Sequence, residues 1–168
     1  ERRKDAILAD GVREVLEDIG YDHSNYKIYA NIVSQSPEIA SGVDRGGAGD
    51  SGIVIGYATK ETETGLPKEL ELARSICFLF DSPTLGDYGP DGKVQVTVNE
   101  KGEAIIVVAS IQHKKPLHIV RKDIEKIIRA NTQQKDFSPT CEFIINPAGD
   151  FSIGGFDSDT GSTGRKIV

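Results

Sequence analysis

The sequence contains no methionine, no tryptophan and only two cysteines among its 168 residues. Cys77 and Cys141 lie far apart among apolar neighbours and outside any C-x-x-C pair, so we expect two buried, reduced thiols and no zinc site. The three histidines, His23, His113 and His118, lack the spacing of metal ligands, and we expect structural or surface roles for them. Because methionine is absent even at residue 1, we also expect the chain to be a segment of a longer protein.

Long hydrophobic runs and a basic charge excess are absent as well. No apolar run approaches the roughly 20 residues that cross a bilayer, and the first residues do not form a secretory signal. The net charge of −6 argues against broad nucleic-acid binding, because such binding needs a basic surface that displaces counterions. Hydrophobic residues make up 38% and charged residues 27%, which is typical of a globular protein. We therefore expect a cytoplasmic protein that binds neither nucleic acid nor a membrane.

The hydrophobic spacing predicts an α+β fold. A helix is predicted over residues 3–19 and a strand over Tyr26–Val33, followed by a long polar stretch. From residue 52 the pattern predicts the order β-α-β-β-α-β, with both helices on one face of the sheet. These predicted elements are a strand at 53–59, a helix at 66–80, strands at 94–98 and 104–112, a helix at 119–130 and a strand at 143–145.

Three glycine-rich segments carry the candidate chemistry, and residues 47–52 form the first. They match G-x-G-x-x-G, but a strand is predicted to follow where a dinucleotide fold needs a helix. The glycines allow a ligand to approach the backbone closely, and Asp50 adds a carboxylate suited to an amine. A plain turn explains the same residues.

The other two segments combine glycines with charged side chains. Residues 86–93 place Asp91 and Lys93 at the mouth of a strand, where alternation predicts that they share one side. Lys93 can neutralise phosphate oxygens, although a turn with a solvated ion pair is the alternative. Residues 161–166 join small and hydroxyl side chains to Arg165 and Lys166, which suits a polyphosphate, and an exposed basic terminus is the alternative. The residues alone favour an anion site built from three glycine-rich loops, with no set for covalent catalysis.

The order of these segments resembles that in S-adenosylmethionine synthetases, from about residue 11 to the end. The matching motifs are DIGY at 18–21, QSPEI and GVDR within 35–45, GAGDSG and GYATKET within 47–62, PDGKVQVT at 90–97, and NPAGDFSIGG and DTGSTGRKI within 146–167. The resemblance implies that the adenosyl group of ATP is transferred to the sulfur of L-methionine, with release of phosphate and diphosphate. It also implies Mg²⁺ and K⁺, with ligands mostly outside this chain, and a homodimer or dimer of dimers.

The resemblance also implies roles for individual residues. Methionine is expected to contact Gln35, Asp50 and Asp159. The expected ATP-binding residues are Asp91, Lys93, Ala148, Gly149, Asp150, Phe151, Asp159, Arg165 and Lys166. Among these, Phe151 is expected to stack on adenine, and the charges of Lys93, Arg165 and Lys166 are expected to be catalytic. No metal ligand is implied within the chain.

The resemblance divides the chain into three parts. Residues 1–45 belong to one α+β domain with a mobile active-site loop at 35–45, residues 46–147 form the β-α-β-β-α-β domain, and residues 148–168 form a nucleotide loop that leads back to the first domain. The sequence departs from the family at Arg74, Gly89 and Asp150, where histidine, arginine and arginine are usual. An acid near a nucleotide weakens phosphate binding. A non-catalytic or ATP-binding paralogue that acts as a regulatory or interaction module is therefore the alternative.

Overall fold

The computed structural model of the chain describes residues 2–80 and 86–159, with side chains from residue 6 onward. It contains two compact units, Glu1–Gly56 and Tyr57–Val168, which we call unit 1 and unit 2. No helix in the described ranges is long and apolar enough to cross a membrane. The domain boundaries expected after residues 45 and 147 stay predictions.

Unit 1 contains the helices α1 (Arg2–Ile19) and α2 (Pro37–Val43). The predicted helix at 3–19 is confirmed by α1, which ends at Ile19. The next residue, Gly20, has φ of +100°, a conformation that glycine adopts without strain. The helix α2 lies inside the polar stretch for which we predicted a loop. Its signal was local, because Ser36 caps the helix by accepting a hydrogen bond from the Ile39 N–H and Pro37 occupies the first turn.

Two predicted strands are not formed. Residues 26–33 and 53–59 have no regular secondary structure, and most of their apolar side chains are exposed, with Tyr29 at 87% and Ile53 at 94%. Both segments are rich in β-branched and aromatic residues, which fit the pleated, half-buried surface of a sheet. A strand also needs a neighbouring strand for its backbone hydrogen bonds, and residue types do not supply one. Among the described residues, neither segment pairs with a strand, since the sheet consists of three strands from later in the chain.

Unit 2 contains two helices on a three-stranded sheet. In chain order its main elements are α3 (Lys68–Phe80), β1 (Tyr88–Val98), β2 (Ala104–His113), α4 (Leu117–Asn131) and β3 (Phe137–Ile145). The strand order is β1-β2-β3, with β1 antiparallel and β3 parallel to β2. This order confirms the predicted pattern from residue 66 onward, without its first strand, and β1 and β3 are longer than predicted.

The core of unit 2 lies between the helices and one face of the sheet. Side chains four residues apart on each helix are buried, which is the spacing of one helical face. The buried core residues are Leu72, Ile76, Phe80, Ala104, Val107, Ala109, Ile111, Val120, Ile124, Ile128, Phe137, Cys141 and Ile145. The α+β class and the position of both helices on one face are therefore confirmed.

The two cysteines differ in exposure. Cys141 is buried as expected, but the expectation was wrong for Cys77, which is exposed. The reason is helical geometry, because α3 buries Leu72, Ile76 and Phe80 and turns the next residue after Ile76 away from the core. Burial of part of its surface still raises the pKa of the Cys77 thiol.

Candidate functional site

The candidate site of unit 2 begins at an irregularity where β1 and β2 meet. Tyr88 pairs with His113 and Gly92 pairs with Ile111, so β1 has more residues than β2 over this interval. Such bulges redirect side chains and are common beside functional sites. Gly89 lies in the bulge, where an added Cβ would lie 2.3 Å from Oε1 of Gln112. A larger residue at position 89 would therefore have to displace the Gln112 side chain, at a position where the resemblance leads us to expect arginine.

Asp91 joins this bulge to the segment that follows β3. Its Oδ2 atom accepts a 2.7 Å hydrogen bond from the N–H of Gly155, a residue 64 positions later. The Asp91 N–H donates to Oε1 of Gln112 at 3.3 Å, and Nε2 of Gln112 donates to the carbonyl of Ser152 at 3.2 Å. Gly154 is buried here, and an added Cβ would lie 2.8 Å from Cβ of Asp91. Two predicted ATP-binding segments are thus in direct contact.

His113, which follows Gln112 and is the last residue of β2, holds the same segment. Its backbone N–H donates to the carbonyl of Phe151 at 2.8 Å, and the Phe151 N–H donates to Nε2 of the imidazole at 3.3 Å. The Nδ1 atom lies 2.7 Å from the carbonyl of Lys115. Because a carbonyl only accepts, Nδ1 carries the hydrogen and Nε2 is the acceptor. The side chain is buried, with 2% of its surface exposed.

Asn146 lies between the last residue of β3 and the segment formed by residues 147–155. It has φ of 44°, a conformation that asparagine tolerates better than most residues. Its Oδ1 accepts from the Ile111 N–H and its Nδ2 donates to the Ile111 carbonyl, both at 3.0 Å. The side-chain amide therefore continues the sheet ladder after β3 stops. Arg121 of α4 adds a hydrogen bond to the carbonyl of Ile145 at 3.2 Å.

Lys93 lies on β1, two residues beyond Asp91. Val94 and Val96 pack against the core, so alternation places Lys93 on the face of the sheet opposite to the helices. It is exposed and forms no ion pair with the acidic side chains in the described part of the chain. The alternative of a solvated pair with Asp91 is therefore not formed, since the Asp91 carboxylate contacts the Gly155 backbone instead.

The predicted methionine-binding residues of unit 1 lie around α2. A Cβ built on Gly49 would lie 3.8 Å from Nε2 of Gln35, so Gln35 lies beside the backbone that leads to Asp50. Gly47 approaches even closer, because its Cβ would meet the carbonyl of Gly42 at 2.8 Å. Asp50 is exposed, and its Oδ1 accepts from the N–H of the next residue. The structure thus brings Gln35 and the 47–50 turn together within unit 1.

The remaining predicted residues differ in how much the structure says of them. Ala148 and Asp150 are exposed, and Gly149 has φ of +107°, which favours glycine. The Asp159 N–H donates to the carbonyl of Gly155 at 3.0 Å. Arg165 and Lys166 lie outside the described residues.

A polar network borders the site at the start of α4. The Nζ atom of Lys115 lies 3.3 Å from Oδ2 of both Asp87 and Asp123, and 5.1 Å from the centre of the Tyr88 ring. The hydrogen bond to Asp123 raises the pKa of Lys115, and burial raises the pKa of Tyr88. The network ties residues 87 and 88, which enter the bulge, to α4.

Four residues of the site were not predicted from the sequence as site residues, namely Gln112, His113, Asn146 and Gly155. A signal for two of them was present, because Gln112 and His113 are polar residues that close a strand of alternating buried positions. Antiparallel pairing places the end of β2 beside the start of β1, which contains Asp91. The role of Asn146 had no local signal, since its partner Ile111 is 35 residues away.

A metal site was tested against the donor residues. In the part of the chain that the structure describes, no group of three or more His, Cys, Asp or Glu residues could hold a metal ion. These residues therefore do not form a complete site for Mg²⁺ or K⁺ by themselves.

Comparisons with known proteins agree with the motifs. The family model of the S-adenosylmethionine synthetase central domain matches residues 45–151. S-adenosylmethionine synthases from Finegoldia magna and Desulforudis audaxviator are 38% and 39% identical to the chain over 189 aligned positions, which cover 94% of the chain and 48% of each relative. The enzyme from Helicobacter pylori strain HPAG1 is 38% identical, with 97% of the chain and 48% of the relative covered. The chain spans about half the length of these curated relatives.

A solved structure supports the fold. The structure of an unusual S-adenosylmethionine synthetase from Campylobacter jejuni superimposes with a TM-score of 0.75 at 24% identity, and the match covers 96% of this chain and 47% of that one. The alignments of 189 positions are longer than the 168-residue chain, so the relatives contain positions with no counterpart here. The family model matches more than half of the residues of this chain. Together with the relatives, this match shows that the chain belongs to the S-adenosylmethionine synthetase family.

Proposed function

We propose that the chain acts in the transfer of the adenosyl group of ATP to L-methionine. The observation that carries this proposal is the contact between Asp91 and Gly155, which joins the PDGK strand to the NPAGDF segment. Both segments contain residues expected to bind ATP, and this hydrogen bond joins them. Family membership supports the same assignment.

The reaction requires positioning and charge more than a protein nucleophile. The methionine sulfur forms a bond to C5′ of the ribose while the bond from C5′ to the triphosphate oxygen breaks, and hydrolysis of the triphosphate yields phosphate and diphosphate. Cations beside the leaving group stabilise its developing charge, and a fixed geometry supplies the rest. In this proposal Lys93, Arg165 and Lys166 hold the triphosphate and Phe151 stacks on adenine.

The proposal extends to the other ligands. Gln35, Asp50 and Asp159 contact methionine, and Asp91 and residues 148–150 contact ATP. The active protein in this proposal is a cytoplasmic homodimer or dimer of dimers that uses Mg²⁺ and K⁺, with ligands mostly outside this chain.

The test measures binding and product separately. The 168-residue chain is incubated with ATP, L-methionine, Mg²⁺ and K⁺, product is quantified by chromatography, and ATP affinity is measured by calorimetry. We expect Lys93→Met to weaken ATP binding or turnover by about tenfold or more, because it removes a charge-assisted contact to phosphate. Lys101→Met is the matched control, since Lys101 is an exposed lysine in the turn between β1 and β2.

Three outcomes separate the hypotheses. Product formation that depends on Lys93 but not on Lys101 supports the proposal. ATP binding that depends on Lys93, without product, supports the ATP-binding part of the proposal and contradicts adenosyl transfer by these 168 residues alone. If the wild-type chain neither binds ATP nor forms product, the proposed function is wrong for this chain.

A further inference from the structure

Phe151 is held by one other residue through both of its backbone polar groups. His113 donates its backbone N–H to the Phe151 carbonyl at 2.8 Å, and its imidazole Nε2 accepts from the Phe151 N–H at 3.3 Å. These two bonds fix the peptide planes on either side of the Phe151 Cα atom. Because the Phe151 side chain is attached to that atom, the two bonds also fix the direction of its Cα–Cβ bond. The ring can then occupy only the few positions that the side-chain rotamers allow.

The imidazole is itself oriented from its other side. Nδ1 lies 2.7 Å from the carbonyl of Lys115, which can only accept a hydrogen. A ring with a donor at one nitrogen and an acceptor at the other meets both partners, and the buried position excludes water as a substitute. Histidine suits position 113 because one side of its ring donates to the Lys115 carbonyl and the other side accepts from the Phe151 N–H.

The contact lies between two other attachments of the same segment. Asn146 fixes the start of the 147–155 segment on Ile111, and Asp91 fixes its end at Gly155. Between these ends Phe151 is half-buried, with part of its surface exposed. His113 is thus the middle attachment of a segment that the proposed function assigns to ATP.

We propose that His113 is a positioning residue for the nucleotide base. It does not touch ATP, and it acts by holding the backbone of Phe151 so that the ring is preorganised for stacking on adenine. This inference rests on the proposed function, and it predicts that loss of the imidazole contact weakens recognition of the base and spares recognition of the phosphates.

Two substitutions at this position separate the two imidazole contacts. The amide of asparagine reaches the position of Nδ1, so His113→Asn keeps a donor for Lys115 and loses the acceptor for Phe151. The amide of glutamine reaches the position of Nε2, so His113→Gln keeps an acceptor for Phe151 and loses the donor for Lys115. Each variant removes one buried hydrogen bond, and the two are therefore matched in their expected effect on stability.

The experiment measures the dissociation constants of ATP and of tripolyphosphate, which lacks the base, for the 168-residue chain and both variants. We expect His113→Asn to raise the dissociation constant of ATP about tenfold, the effect of one hydrogen bond, with that of tripolyphosphate unchanged. We expect His113→Gln to stay within about threefold of wild type for both ligands. Amide hydrogen exchange at Phe151 is expected to be faster in His113→Asn and slow in His113→Gln.

The outcomes separate this inference from the proposed function. Equal weakening of ATP binding in both variants, or equal weakening for ATP and tripolyphosphate, indicates a general structural role and overturns the inference alone. Absence of ATP binding by the wild-type chain overturns the proposed function and the inference with it. If His113→Asn does not fold, His113→Gln decides alone: tenfold weaker ATP binding overturns the inference, and retained affinity with slow exchange at Phe151 supports it.

Discussion

The two compact units of the chain differ in how they use their hydrophobic residues. In unit 2, Ile76 and Ile124 have no exposed surface and pack in a core between two helices and a sheet. In unit 1, Leu16 is the one buried hydrophobic residue among the side chains described from residue 6 to residue 56, and Ile53 and Ile55 are at least 90% exposed. Apolar residues are present in both, so the difference lies in the surfaces available to cover them.

The glycine-rich segments of the two units differ in the same way. The 147–155 segment is attached to distant parts of the chain through Asp91, Gln112 and His113. The 47–52 segment has local contacts, such as the hydrogen bond between Asp50 and the residue that follows it. The 147–155 segment is therefore held by contacts between distant parts of unit 2, whereas the 47–52 segment contacts residues within a short stretch of unit 1, such as Gln35.

The largest expected effect on the free energy of unfolding comes from an isoleucine-to-alanine substitution, which can be made in each of the two units. Ile76→Ala removes a fully buried side chain, and we expect it to lower the free energy of unfolding by about 3–4 kcal/mol. Ile55→Ala removes an exposed side chain, and we expect a change within about 0.5 kcal/mol. Urea unfolding followed by circular dichroism measures both. Equal losses would contradict the contrast between the units, because they would mean that Ile55 is covered in solution.

A second prediction sharpens the role of the ladder extension at Asn146. Asn146→Ala leaves the N–H and carbonyl of Ile111 without partners in a buried place, and we expect a loss of about 2–3 kcal/mol in unfolding free energy. Asn146→Gly is the control, because it removes the same amide but relieves the backbone at φ of 44°. It should be less destabilising than Asn146→Ala by about 1 kcal/mol. If the two variants are equally stable, the backbone conformation contributes nothing to the cost.

A third prediction compares glycines of the two units. An alanine at position 89 must displace Gln112 and break its hydrogen bonds to Asp91 and Ser152, so we expect Gly89→Ala to cost about 1–2 kcal/mol in unfolding free energy. Gly52→Ala meets no atom within 4 Å, and we expect a change within about 0.5 kcal/mol. Thermal and urea unfolding measure both. In a Gln112→Ala background the cost of Gly89→Ala should shrink, and an undiminished cost would show that Gln112 is not the obstacle.

The smallest expected effect concerns the network at Lys115 and is seen at alkaline pH. The hydrogen bond to Asp123 raises the pKa of Lys115 above its ordinary value, and burial raises the pKa of Tyr88 above its ordinary value. The folded chain therefore holds these protons more tightly than the unfolded chain, and the resulting stability is present below about pH 10 and is lost as pH rises through the folded-state values. We expect the stability difference between wild type and Lys115→Met to be constant below about pH 10 and to narrow as pH rises through the folded-state pKa of Lys115. Lys27→Met in unit 1 is the control, and an equal narrowing there would contradict the assignment to this network.

Much of the fold could be predicted from local patterns. The spacing of Leu72, Ile76 and Phe80, and of Ile124 and Ile128, is enough to predict α3 and α4 and the faces that they bury. The predicted strands at 53–59 and Tyr26–Val33 failed because a strand depends on a partner that its own sequence does not contain. The lengths of β1 and β3 were underestimated for the same reason, since pairing with β2 extends both strands beyond their apolar residues.

The candidate site shows the same division. Sequence motifs selected Asp91, Lys93 and Phe151, and those roles remain predictions. The motifs did not show that Asp91 bonds to the Gly155 backbone or that His113 bonds to Phe151, because these partners are 64 and 38 residues apart. Such contacts depend on the alignment of whole strands and on loop geometry, which local residue patterns do not encode.

The sequence by itself determined the family, the α+β class and the two helices that cover the sheet, because motifs, helical periodicity and turn residues are local properties. The tertiary structure alone decided which apolar segments are buried and which residues hold the 147–155 segment. Burial and long-range hydrogen bonds require two surfaces to meet, and the position of the second surface is fixed by the packing of the folded chain. Asn146 illustrates this, because in the sequence it is an ordinary turn residue. In the structure its side-chain amide bonds to the N–H and the carbonyl of Ile111 and so continues the hydrogen bonding of the sheet.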